Sequence, residues 1–186
     1  MPIIKHLEAP SLQFKQKLMS SATATQHSAT HFFSLFRQPF KFRYFLFRNL
    51  PAALFSGVRV EEMSEEKTIV SVPYTWFTRN PFRSTYFACL SMAAEMSTGI
   101  LAMSQVYKRK PKVSMLVVGI EGKFHKKATA RTRFTCEEGA RIREAVNDAI
   151  ILGLPQTVRA LSSGYNSEGE LVAEFWITWS FRAKTQ

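Results

Sequence analysis

Cysteine is nearly missing from this chain: Cys89 and Cys136 are the only two among 186 residues, each inside an otherwise apolar or strand-like stretch. They read as small core residues of a reducing compartment, which points to the cytoplasm. Acidic residues are scarce as well, 14 against 25 Lys and Arg, and none occurs between Glu8 and Glu61. The resulting net charge of +11 favours anionic partners without choosing among cofactor phosphates, membrane surfaces and nucleic acid. None of His6, His27, His31 and His125 pairs with cysteines or carboxylates at metal-ligand spacing, so no metal site is expected. The first thirty residues lack the apolar core of a secretory signal, and no Arg precedes Arg37, as a transit peptide would require. GxGxxG, GxxxxGK and GxSxG are absent, which sets aside dinucleotide, phosphate-loop and nucleophile-elbow chemistry. No nucleic-acid recognition motif accompanies the basic charge, so nucleic acid is not an expected partner.

What is present is apolar: 46% hydrophobic residues and 16 Phe, enough for one domain with a true core. Residues 1–50 read as an N-terminal helical extension and 51–186 as the domain proper. Residues 20–30 are small and polar and read as a link. In residues 32–49, eight of eighteen are Phe or Tyr, interleaved with Arg37, Lys41, Arg43 and Arg48, and Pro39 suits a helix start. Two readings stay open for this helix. Either it lies on a membrane surface, or its Phe40, Tyr44 and Phe47 face covers the protein's own core or a partner chain.

Beyond residue 54 the period shortens. Runs 54–60 and 68–74 around an acidic turn predict a hairpin, and 113–121 with 127–135 predict another around Gly122 to Lys126. The clean alternation of Leu171, Ala173, Phe175, Ile177, Trp179 and Phe181 predicts a strand, paired with 157–165 across the turn at Asn166 to Gly169. Six strands result. Between them Ile142, Ala145, Val146, Ala149 and Ile150 keep helical spacing behind a capping box from Thr135 to Glu138, with Gly153 as the stop.

Residues 84–106 are apolar on nearly every face, with Ala, Ser and Gly permitting close approach. Eight polar residues there argue against a membrane span and for a helix wrapped by the sheet, an α+β arrangement. Glu95 is then conspicuous, the only acid between Glu66 and Glu121. It is either a satisfied structural glutamate held by Ser91 and Thr98, or a carboxylate whose partial burial raises its pKa into the range of a general base.

The stretch NPFRSTYFACLSMAAE, Asn80 to Glu95, resembles the loop and central-helix entry of hotdog-fold thioesterases, in some of which the Asn-to-acid interval is likewise fifteen residues. LPAALFSGVRVEE, SVPYTWFTRNPFRS and AEFWITWSF are similar to an uncharacterised, domain-of-unknown-function branch of that superfamily, over roughly residues 40–182. The resemblance implies a long central helix wrapped by a curved antiparallel sheet, and a homodimer formed by edge pairing. It implies hydrolysis of an acyl-CoA thioester with Glu95 as base or nucleophile and Asn80 orienting water or carbonyl, the two meeting across the subunit interface in many members. Coenzyme A would enter as part of the substrate, with no separate cofactor. Where catalytic families carry His-Gly-Gly this chain carries Tyr86, Phe87 and Ala88, and the backbone N–H groups of Tyr86 and Phe87 are the oxyanion candidates. Asn80 followed by Pro81 is also an ordinary turn opener. Arg83 and Arg79 are candidates for the CoA phosphates, and Phe82, Met92 and Met96 for the acyl pocket. The alternative is a non-catalytic acyl-CoA or lipid-binding module, with peripheral membrane contact compatible with either.

Overall fold

Pro39 opens the first helix, α1 (Pro39–Asn49), where a proline ring pre-sets the helical φ, and Pro51 opens a second, α2 (Pro51–Phe55). Strands β1 (Arg59–Met63) and β2 (Thr68–Val72) follow, then the long helix α3 (Phe87–Val106) and β3 (Val113–Phe124). The chain continues through β4 (Thr132–Cys136), helix α4 (Gly139–Leu152), β5 (Gln156–Tyr165) and β6 (Leu171–Ala183). This computed structural model describes residues 31–34, a single helical turn, and 38–184. The link expected at residues 20–30 lies outside them.

The six strands form one antiparallel sheet in the order β1-β2-β4-β5-β6-β3, wrapped round α3, which touches all six. Ala93, Ala94, Leu101 and Ala102 of α3 are fully buried, and α3 is a core helix although its length and apolarity would also suit a membrane span. Small side chains let strands approach the helix closely, and hydroxyls fix its orientation. Thr68 donates to the Ser97 carbonyl, the Ser97 and Ser162 hydroxyls meet at 2.7 Å, and Trp179 Nε1 donates to Thr98 Oγ1 at 2.9 Å. Both cysteines are buried and free, and burial pushes the Cys136 thiol up to about 12.

Pairing of β5 with β6 and of β1 with β2 follows the sequence pattern, but three expectations are corrected. Residues 54 and 55 belong to α2, which ends in a turn through Ser56 and Gly57 at φ 72°, so β1 begins only at Arg59. Strands β3 and β4 are not a hairpin: β3 pairs with β6 at the sheet edge, and β4 lies between β2 and β5. Gly122 misleads, because it is no turn residue. It faces Phe175 inside the β3/β6 ladder, where a Cβ would come within 2.9 Å of the ring. The third correction concerns α4, which has no side-chain cap, since Thr135 lies in β4. The Gly139 N–H instead donates to the Glu66 carbonyl at 3.2 Å, and Gly153 ends the helix in the left-handed region at φ 66°.

β3 carries a bulge between Val117 and Gly119. Before it Met115 and Val117 face Phe181 and Trp179; after it Ile120 and Phe124 face Ile177 and Ala173. A Cβ built on Gly139 would sit 2.1 Å from the Glu65 carbonyl oxygen, a backbone atom with little freedom to yield. Gly139→Ala is expected to lose about 1–3 kcal/mol of stability, the usual cost of overpacking, measured by urea unfolding of the two proteins.

Candidate functional site

Glu95 sits midway along α3 and faces a narrow apolar slot of about 80 Å³. Leu46, Phe42 and Phe45 of α1 roof the slot, Phe32 and Met115 close its sides, and Met96, Gly99 and Trp179 line the floor. A Cβ at Gly99 would lie 3.3 Å from Glu95 Oε1 and 3.4 Å from the Trp179 ring, so the absence of a side chain there leaves room for the carboxyl group. Neither Ser91 nor Thr98 satisfies that carboxyl. Thr98 Oγ1 donates to the Glu95 backbone carbonyl at 2.9 Å, and among the described residues no cation pairs with the side chain. Burial in hydrocarbon, with no compensating donor, raises the Glu95 pKa above the ordinary glutamate value.

Asn80 lies in a second, more open groove at the N-terminal end of α3, with Phe82, Phe87, Phe124, His125 and Lys127. Its Oδ1 accepts from Phe82 N at 3.0 Å and from Ser84 N and Oγ, both at 3.2 Å, which pins the loop and leaves Nδ2 without a partner among the described residues. α3 starts three residues later than its pattern predicts, because Thr85 N–H and Oγ1 both donate to the Ala128 carbonyl and hold the chain extended. Tyr86 N–H donates to the Thr78 carbonyl at 2.7 Å. The N–H groups of Phe87 and Ala88 carry no hydrogen bond among the described residues and form the positive end of the helix dipole.

The structure therefore divides the residues singled out in the sequence between two places. Glu95 and Met96 share the slot; Asn80, Phe82, Tyr86 and Phe87 share the groove; Met92 packs against the core away from both. From Phe87 to Glu95 the helix rises about 12 Å, so Asn80 and Glu95 of one chain do not meet. Arg79 and Arg83 flank Asn80, exposed and without ion pairs among the described residues, and Arg83 holds a left-handed φ of 58°. A residue that sequence reading missed is His125, whose Nε2 lies 2.8 Å from Glu174 Oε2 beside the groove. The two are 49 positions apart, and no local spacing announces them.

Residues 41–181 match the family described as Domain of unknown function (DUF4442). The chain belongs to that family. No curated protein sequence matches it significantly. Among solved structures, a protein of unknown function from Pseudomonas aeruginosa, described as a probable thioesterase, is 21% identical with a TM-score of 0.67, covering 78% of this chain and 97% of its own. A protein of unknown function from Chlorobaculum tepidum is 15% identical with a TM-score of 0.65, covering 77% and 93%. A thioesterase from Haemophilus influenzae is 11% identical with a TM-score of 0.57, covering 78% and 91%. At such identities the likeness establishes the fold alone, and this DUF4442 chain has the hotdog fold, an antiparallel sheet wrapped round one long helix.

Two stability predictions follow from the site. Because the folded pKa of Glu95 lies above the unfolded one, the stabilisation from its bound proton is complete below the ordinary glutamate pKa and is lost as pH rises through the raised value. Glu95→Gln, a neutral isostere, is expected to melt a few degrees higher than wild type at neutral pH and to lose that advantage in acid, as read by thermal unfolding across the window. Arg83→Gly relieves the left-handed strain and is expected to gain up to about 1 kcal/mol, whereas Arg83→Ala, with its Cβ retained, gains nothing.

Proposed function

We propose that this protein hydrolyses the thioester of a short acyl group carried on coenzyme A, using Glu95 as the general base. The observation that carries the reading is the slot itself: a lone carboxylate with a raised pKa, facing an apolar cavity that an acyl chain can enter. An engineered apolar cavity of about 150 Å³ admits benzene, so a slot of about 80 Å³ suits a few carbons while α1 stays in place. Glu95 would take a proton from water as the oxygen attacks the thioester carbonyl carbon. The C–S bond then breaks, and the thiolate leaves and is protonated. The unpartnered donors of the groove, Asn80 Nδ2 and Phe87 N–H, suit a developing oxyanion, and Arg79 and Arg83 suit CoA phosphates.

The distance between slot and groove within one chain calls for two copies. β3 supports this assembly: among the described residues it is an edge strand with an unpaired outer side, Val118 and Ile120 are exposed along it, and its last residue, Phe124, lines the Asn80 groove. Pairing of two β3 edges would cover this apolar edge and carry the groove of one copy toward the slot of the other. A second reading, retention of an acyl ligand without turnover, is favoured by one observation: the Tyr86 N–H is already engaged with Thr78 and cannot serve an oxyanion.

A panel of acyl-CoAs, followed by release of free thiol, tests the proposal. Activity is expected on short chains, with Glu95→Gln and Asn80→Ala each reduced by about 100-fold or more. A Val118→Lys, Ile120→Lys variant is expected to sediment as a monomer and to be inactive. Acyl ligand recovered from the purified protein without any thiol release would assign the binding reading instead.

A further inference from the structure

The aromatic helix α1 has two unlike faces, and the exposed one is the face that one reading of the sequence set against the protein's own core. Leu46 is buried, and Phe42 and Phe45 pack beside it on the core. Phe40, Tyr44 and Phe47, whose spacing invited a core assignment, are 87%, 64% and 60% exposed. At about 100° per residue these three rings fall within about 60° of one another on the helix wheel. Lys41 and Arg48 border the stripe on one side and Arg43 borders it on the other, all exposed and without ion pairs among the described residues. No acid lies between Glu8 and Glu61 in the sequence, and Glu61 and Glu62, which share a groove with Arg43, form no ion pair with it among the described residues.

We infer that this face of α1 docks on an anionic lipid bilayer. A stripe of rings between two rows of cations matches the layering of such a surface, with rings entering the headgroup and acyl boundary and cations remaining at the phosphates. A second copy is a poorer fit, because a two-fold pairing of this face would set its cations against one another. The inner side chains of the same helix roof the Glu95 slot, so α1 lies between the bilayer and the slot. Docking is read by binding and not by turnover, and it stands or falls independently of the hydrolysis proposed above.

The test is flotation of the full-length chain with vesicles of phosphatidylcholine alone and of phosphatidylcholine with phosphatidylglycerol. Binding is expected only with the anionic vesicles, weakening as salt rises. Lys41→Glu, Arg43→Glu, Arg48→Glu and, separately, Phe40→Ser, Phe47→Ser should each weaken binding by about tenfold or more with an unchanged melting temperature, since all five side chains are exposed. Failure of the wild type to float with anionic vesicles, equal binding to neutral ones, or undiminished binding by either variant overturns the inference. Self-association of the wild type that the ring variant abolishes would assign the face to a second copy and overturn it equally.

Discussion

The orientation of α3 inside its sheet rests on hydroxyl groups. Apolar contacts hold the helix in place but are non-directional, and a helix of Ala, Met and Leu could turn about its axis at little cost. The bonds from Thr68 to the Ser97 carbonyl, between Ser97 and Ser162, and from Trp179 to Thr98 do have directions, and all lie in the buried interior. There, a donor left unpaired costs more than the bond contributes, so alternatives to this rotation are penalised. Thr98 also donates to the Glu95 backbone carbonyl, so one hydroxyl links this turn of the helix to the indole of β6.

Once that rotation is set, the character of the two candidate regions follows from their surroundings. The slot is apolar because every lining side chain is hydrocarbon or thioether apart from the indole and the half-buried carboxyl of Glu95, its single ionisable group. The groove at the N-terminal end of the helix is more open and basic, with His125, Lys126 and Lys127 in its lining. A thioester has this same polarity, with a greasy acyl portion and a phosphate-bearing carrier, so a division between an apolar and a cationic region is chemically coherent for such a molecule.

Much of the fold is legible along the chain because it depends on local pattern. The alternation at Leu171 to Phe181 specified β6, Gly153 marked a helix end, and the mixture of Ala and Ser round α3 indicated a core helix, although Phe87 and Met103 remain exposed. Glu95 could be noticed by its solitude in sequence. The failures are non-local. Gly122 resembles a turn residue until Phe175, 53 positions away, shows why a side chain is not tolerated there. The rings of α1 occur at so many positions that no single stripe is marked, and only the packing of Leu46 with Phe42 and Phe45 decides which side faces inward. The gap between Asn80 and Glu95 required knowing where α3 begins, which the Thr85 bonds to Ala128 determine from 43 residues away.

The bulge in β3 has a bearing on assembly. An unbroken strand would carry one alternation along its whole length, with Leu116, Val118, Ile120 and Phe124 all turned to the convex side. The extra residue resets the phase, sending Ile120 and Phe124 to the concave side while Leu116 stays outside. Ile120 and Phe124 are nevertheless more than half exposed, at 55% and 52%, so the hollow of the sheet is left incompletely filled at this end. One inserted residue thus leaves two large apolar side chains on the concave rim open to solvent, and one of them, Phe124, lines the groove that holds Asn80.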